Sequence, residues 1–502
     1  MNFQKKLAKR KNLFKGKGTQ RQASKKREDL MIKISKQKKE ELLSKKRNIS
    51  QFLNENYEDK EHIQELINNL PEITSNLINS NYEDPLPLVQ NLRTIVSTED
   101  EPPMDEIIFS GVIPYIMNFM KDDSNNLLQY ESAWIISNIA SGASHHTEYV
   151  VNNEAISEFC RLLSSKDKKI QDQAIWGLGN IAGESAEYRD QILSLKVFPK
   201  IISLLKNEKS TLFLKNSIWT LSIFVKQQPP PNFDEIKEAF PIFYDLLQHQ
   251  DQEICSSALW GLSWFSTGEL ENIQTIIELK IVPIIIEQFK NNNSKVYIPC
   301  IKILGNISSG TDLQTQIVID NGFLPILKDF LKDENPILRR EACWALSNLG
   351  AGTTEQLGQL FQQNIFHQLV KILKTDLWSI KKECCIVVTN IIEGATIEQI
   401  DFLISSGILY PLCAMLEFND EYVLNVTLSA LYTILKHGNQ AKLMKENNGL
   451  LVANQYAVYI ERAEGKTKIE KLINHKNQTI SEYSENILKT FYKEEIEDYT
   501  EF

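Results

Sequence analysis

The chain has 502 residues, 42% of them apolar and 24% charged, enough for several ordinary domains or one long array. Its formal charge of −10 hides an asymmetry: residues 1–48 hold 18 Lys/Arg against 4 Asp/Glu, leaving 37 against 61 in the rest. A basic arm is thus joined to an acidic body, and such a body repels phosphate and attracts basic peptide. The seven cysteines include no Cys-x-x-Cys and sit mostly in apolar runs, which fits a reducing cytosolic or nuclear compartment. The basic N-terminus has no apolar stretch of the kind a signal peptide needs, and no apolar run approaches the roughly 20 residues of a membrane span.

In chain order, residues 1–50 form the arm. Its stretch from 10 to 48 reads "RKNLFKGKGTQRQASKKREDLMIKISKQKKEELLSKKRN". Glu28 and Asp29 come early and Lys/Arg dominate later, which suits the dipole of a helix over about 25–43. Such an arm is expected to order only on a partner. The same composition also fits a solvated tail or a nonspecific nucleic-acid contact; the acidic body argues against a direct nucleic-acid role. Residues 51–74 are expected to be a linker and a first helix. Residues 75–495 hold a repeat, and residues 496–502 an acidic tail.

The repeat is read from two markers. Tryptophans fall at 134, 176, 219, 260 and 344, in steps of 42, 43, 41 and twice 42; Lys302 takes the skipped position, and Ile386 lies one step beyond 344. Pro199, Pro241, Pro283 and Pro325 are each 42 apart, with Pro114 and Pro411 continuing approximately. Each unit reads as an apolar helix carrying the Trp, a turn with Gly, a second helix, then a Gly or polar residue before a Pro-opened helix. The segment "KQQPPPNFDE" after Trp219 reads as a loop inside one unit. A helical period near 42 is in the armadillo/HEAT size range, and such units stack because none can bury its apolar face alone. There is room for about ten.

Within the Trp helix an Asn recurs at 138, 180, 306, 348 and 390, one turn after the Trp register. Two readings stay open. Asn forms a hydrogen-bonded ladder between stacked helices, with Trp in the core. Alternatively Trp rings stand as walls of slots that take the aliphatic stems of Lys or Arg, and Asn clamps the backbone of an extended peptide. Glu131, Glu184, Glu341 and Glu383 would then attract the basic tips.

With arm and repeats together, the chain resembles the importin-α (karyopherin-α) family of nuclear import adaptors, over nearly its whole length. The resemblance lies in the arm, the repeat spacing, the repeated Trp-x-x-x-Asn and "NISSGTDLQTQIVIDNG" at 306–322. It implies an all-α, right-handed superhelical solenoid of about ten armadillo repeats and a protein that shuttles between cytoplasm and nucleus, with no cofactor. The arm resembles the importin-β-binding segment, through Arg10, Lys15, Lys17, Lys25, Lys26, Arg27, Lys33, Lys36, Lys38 and Lys39. Lys45, Lys46 and Arg47 resemble the autoinhibitory mimic of a nuclear localization signal.

Matched motif by motif, the resemblance puts the major signal-binding site on Trp134, Asn138, Gly142, Thr147, Trp176, Asn180, Glu184 and Trp219. It puts the minor site on Lys302, Asn306, Thr315, Glu341, Trp344, Asn348, Glu383 and Asn390. The C-terminal repeat resembles the surface that engages the nuclear export receptor with Ran-GTP. Glu184 stands where the family usually has Asp. Ile223 replaces the Asn expected after Trp219, and Ile386 replaces a Trp. The expected partners are importin-β and cargo carrying Lys/Arg-rich signals. An armadillo scaffold for signalling or adhesion would explain the period but not the arm. The pairs His145–His146 and Cys384–Cys385 suggest an enzyme less than a structural or surface role, since neighbours on a helix diverge by about 100°.

Overall fold

The computed structural model describes residues 60–98, 102–206, 208, 210–226, 229–267, 270–291, 293–446 and 453–492. The arm, with every residue assigned to importin-β binding or autoinhibition, and the acidic tail lie outside the described residues. Among the described residues all regular structure is helical. They form two compact units that part between Phe265 and Ser266.

Each repeat contributes one long helix. In the first unit these are α1 (Leu86–Val96), α2 (Asn126–Ile139), α3 (Lys168–Glu184), α4 (Thr211–Phe224) and α5 (Gln252–Phe265). In the second they are α6 (Ser294–Ser308), α7 (Pro336–Gly350), α8 (Trp378–Gly394), α9 (Glu421–Glu446) and α10 (Gln478–Phe491). Within each unit every long helix packs on the next, and shorter helices between them cover the stack. The linker region already belongs to it: Lys60–Asn68 and Leu70–Ile78 are helices whose Leu66, Leu70, Ile73 and Leu77 are buried.

The period is written into local chemistry three times over. First, the long helices open on side-chain caps at Asn125, Asp167, Ser210, Asp251, Asn293, Asn335 and Asp420. Each satisfies an orphan N–H of the first turn, worth about 1 kcal/mol. Second, Pro199, Pro241, Pro283 and Pro325 are each the third residue of a short helix, inside the first turn where a missing N–H costs nothing. Third, a left-handed residue stands one or two positions before most of the short helices of this kind: Gly111, Glu154, Lys196, Lys280, Gly322, Asn364 and Gly407 have φ between 55° and 88°. Only some are glycine, so at Glu154, Lys196 and Lys280 the fold imposes a conformation that costs roughly 1 kcal/mol on an L-residue. The loop after Trp219 is as expected, except that its end already forms the short helix Phe233–Ile236. Arg189, buried, pins it by donating to the carbonyls of Lys226 at 2.8 Å and Pro229 at 2.7 Å.

The glycines of "WGLGN" show how tightly the layers close. A Cβ on Gly177 would lie 2.4 Å from the Phe159 ring of the same repeat. One on Gly179 would lie 2.5 Å from Trp219 of the next. In the second unit a Cβ on Gly305 would lie 2.4 Å from Trp344. Gly305→Ala should therefore destabilise by roughly 1–3 kcal/mol through overpacking. Gly358→Ala, in the helix Thr354–Phe361 with open space around it, should stabilise by about 0.5–1 kcal/mol. Urea unfolding of the two variants checks the contrast.

Candidate functional site

Helices α2 to α8 are buried along most of their length, so the face carrying Trp and Asn shows solvent little more than ring edges. In α2, Ala133, Ile135, Ile136, Ile139 and Ala140 are buried as expected, but so are Glu131, Trp134 and Asn138. Trp134, Trp219 and Trp344 each expose 8% of their surface, only an edge, and Trp176 exposes 2%.

The asparagines form the ladder. Asn180 Nδ2 donates to the Ser137 carbonyl at 2.9 Å, Asn348 to Gly305 at 2.9 Å and Asn390 to Ser347 at 2.8 Å. Each rung spans 43 residues, from one long helix to the carbonyl of the one before. Asn138 donates to Ser97 Oγ at 3.0 Å, with the Val96 carbonyl at 3.4 Å, and Asn306 donates to Ser266 Oγ at 2.9 Å. A carbonyl partner fixes which half of the amide faces it. The NH2 goes into the stack, and Oδ1 points elsewhere. At Asn180 that Oδ1 is buried and receives no hydrogen bond from the described residues. Such a group costs roughly 1–3 kcal/mol until something donates to it.

The expected slots between successive Trp rings are not uniform. Trp176 and Trp219 touch, with centroids 4.4 Å apart and planes 32° from parallel. No methylene chain fits between them, because the missing side chain of Gly179 lets the Trp219 ring sink onto α3. Elsewhere the chain's own cations occupy the ring face. Arg93 lies over Trp134, its guanidinium carbon 5.1 Å from the centroid, and its Nε donates to Glu131 at 3.1 Å. Lys302 lies over Trp344 with Nζ 4.4 Å from the centroid, and pairs with Glu341, which Arg340 also contacts. The two sites have one design. A cation 41 or 42 residues upstream, at or next to the Trp register, stacks on the ring and neutralises the acid three residues before it. Sequence reasoning missed Arg93 and Arg340; the signal for Arg93 was a basic residue next to a register position that lacks Trp, and for Arg340 a basic residue one turn before Trp344.

Thr147 and Thr315 are fully buried and close turns, donating to Ala140 at 3.0 Å and Ser308 at 3.1 Å. Glu184 accepts from Ser144 Oγ. Glu383 and Asn390 are buried on α8, the first beside the Ile386 position.

Gly142 leaves the space that His146 fills: a Cβ there would be 2.4 Å from Nδ1. His146 Nδ1 accepts from Ala143 N–H at 3.0 Å. Gln314, Gln356 and Gln399 do the same job in later repeats, accepting from the N–H of Thr311, Thr353 and Thr396. With Nδ1 accepting, the neutral ring carries its proton on Nε2 and donates it to Asp105 Oδ1 at 2.9 Å; His145 reaches the same oxygen at 2.8 Å. Asp105, His145 and His146 lie close enough for a metal, but this tautomer leaves His146 Nε2 no lone pair to give.

Packing fixes the charge state of Glu341. Burial pushes its pKa up, but the charges of Lys302 and Arg340 outweigh burial and hold it at about 2 against a usual 4.5. A lowered native pKa stabilises above the usual value and is lost as pH falls through the native one. Glu341→Gln should cost roughly 3–5 kcal/mol at neutral pH, because buried Lys302 loses the carboxylate that neutralises it. It should also flatten the loss of stability between pH 4.5 and 2. Thermal unfolding across pH, variant against parent, checks both.

No single helix among the described residues is long and apolar enough to cross a membrane. The family model for the Importin beta binding domain matches residues 10–90, beyond the arm expected to end at 50. The Armadillo/beta-catenin-like repeat matches 143–183 and 311–351, and the Atypical Arm repeat matches 454–501. Importin subunit alpha-B of Dictyostelium discoideum is 41% identical over 491 residues, 97% of this chain and 94% of the relative. Importin subunit alpha-3 of Arabidopsis thaliana is 35% identical over 495 residues, covering 97% and 93%. A crystal structure of an engineered protein superposes with a TM-score of 0.69 at 21% identity, over 83% of this chain and 98% of its own, a likeness of fold alone. Repeat stack, arm and full-length relatives together make the chain a member of the importin-α family.

Proposed function

We propose that this protein is a nuclear import adaptor: it holds Lys/Arg-rich nuclear localization signals on the Trp/Asn face of its repeats and joins importin-β through its N-terminal arm. The observation that carries the reading is the importin-β-binding match over 10–90, on a chain aligned nearly end to end with importin-α subunits. An armadillo scaffold of another kind would not need that arm. The acidic body supplies long-range attraction for basic cargo. The reading carries no catalytic step.

In the first unit, Asn180 contributes its free Oδ1, an acceptor for a backbone N–H of an extended peptide. One of its two amide hydrogens is used in the ladder and its Oδ1 is unused, so the clamp is acceptor-led. Glu184, half-buried and held by Ser144 among the described residues, offers a carboxylate to a basic tip. At Trp134 and Trp344 the ring and acid are already matched by Arg93 and Lys302, so a cargo cation there competes with a tethered one. A single basic cluster binds mainly through the two complete Trp/Asn pairs, Trp134 with Asn138 and Trp176 with Asn180, and must displace Arg93 to reach the Trp134 ring. When importin-β leaves the arm, Lys45, Lys46 and Arg47 fold back at high effective concentration and expel cargo. The C-terminal repeat then meets the export receptor with Ran-GTP, and the protein shuttles between nucleus and cytoplasm.

Calorimetry with a Lys-rich peptide should show a larger loss of affinity for Trp176→Ala than for Trp344→Ala; the reverse order contradicts the site assignment. Deleting residues 1–50 should raise peptide affinity, and an unchanged value contradicts autoinhibition.

A further inference from the structure

The acids three residues before Trp134 and Trp344 are neutralised from within the chain, which raises the question of which carboxylate in the second unit is not. Glu393, near the end of α8, is such a group. At its register, three residues after the ladder Asn, other repeats carry Ser141, Gly183, Ser309 and Ala351. Glu393 lies seven residues after Ile386, hence two turns along the face on which the Trp register falls. It is half-buried, where most of α8 is buried.

Two hydroxyls of α9 hold it. Ser429 Oγ donates to Oε1 at 2.6 Å and Thr433 Oγ1 donates to the same oxygen at 3.1 Å. Tyr483 is hydrogen-bonded to Ser429, and the Glu393 charge is among the influences on its hydroxyl. Among the described residues Oε2 receives no hydrogen bond, and no Lys or Arg pairs with the carboxylate. Tyr432, on the same face of α9 as Ser429 and Thr433, packs on Tyr483 at 6.0 Å and Phe491 at 5.3 Å. An oriented carboxylate with one free oxygen, bordered by half-buried aromatic rings, suits a cation on an aliphatic stem.

We propose that Glu393, oriented by Ser429 and Thr433 beside Tyr483, is a binding site for a lysine or arginine side chain of the basic peptide, one repeat beyond Trp344. The inference rests on the cargo-adaptor reading. It adds a cation site where the Ile386 position lacks a Trp, so recognition at this end is led by charge rather than by ring stacking. Ser429 and Thr433 are positioning residues: they hold Oε1 and leave Oε2 toward the ligand.

The test titrates the full chain with a Lys-rich peptide of about 20 residues, long enough at roughly 3.3 Å per residue to follow several repeats, at several salt concentrations. Glu393→Gln should weaken binding roughly five- to tenfold and lower the salt dependence, because one ion pair is lost. Glu393→Asp, which keeps the charge, should retain most of the affinity, and thermal midpoints of both variants check folding. Unchanged affinity and salt dependence for Glu393→Gln, with Trp176→Ala still weakening binding, overturns this site alone. If neither substitution matters, the cargo-binding reading fails with it.

Discussion

One hydrogen bond, repeated, sets the geometry of the rest: the ladder amide that donates across a repeat boundary to the backbone of the preceding long helix. It fixes neighbouring long helices in depth and rotation, since a shift of one residue would carry the amide about 100° away from its carbonyl. With that register fixed, the Trp one turn earlier must lie against the preceding helix. At Gly305 the helix gives way, and the Trp344 ring sinks to its backbone; Trp219, which Ile223 leaves without a rung, sinks the same way at Gly179, where Thr220 donates to the Ile175 carbonyl at 3.0 Å in the rung's place. The same rung also orients the amide, so that the acceptor half is what Asn180 has left over.

The electrostatics follow from the packing. A Trp that faces a repeat with no Trp of its own would leave a ring face and a buried acid unmatched. Arg93 and Lys302 cover those faces and neutralise Glu131 and Glu341. The result resembles a ligand lysine held permanently by a covalent tether. It stabilises the stack and makes those two positions costly to invade. Carboxylates held only by hydroxyls, Glu184 and Glu393, are of another kind: oriented, partly wet and without a cation among the described residues.

Much of this was legible in the sequence, for a physical reason. A period expressed in Trp, Asn and Pro needs no knowledge of contacts, and Pro199, Pro241, Pro283 and Pro325 land at one structural position, with Pro114 one residue off it. The helix caps and left-handed residues carry the same period but are spread over several residue types, Asn, Asp and Ser in one case and Gly, Glu, Lys and Asn in the other. No single letter repeats, so they pass unseen. The ladder and clamp readings of Asn cannot be separated from spacing, because both put Asn one turn from Trp; only the carbonyl 43 residues back decides that one amide hydrogen is used inside. Slots between rings were expected where Trp176 and Trp219 touch, because the expectation took equal spacing of helices to mean open space between side chains. Gly179 removes that space, and a glycine is silent in a hydrophobic pattern.

The central claim is that the arm and a basic cargo peptide compete for the Trp/Asn face, with importin-β deciding between them. The most direct measurement is the affinity of the full chain for a fluorescent Lys-rich localization-signal peptide, with and without importin-β. The account predicts measurable binding alone and clearly tighter binding when importin-β holds the arm. No binding in either condition, or weaker binding in the presence of importin-β, would contradict it.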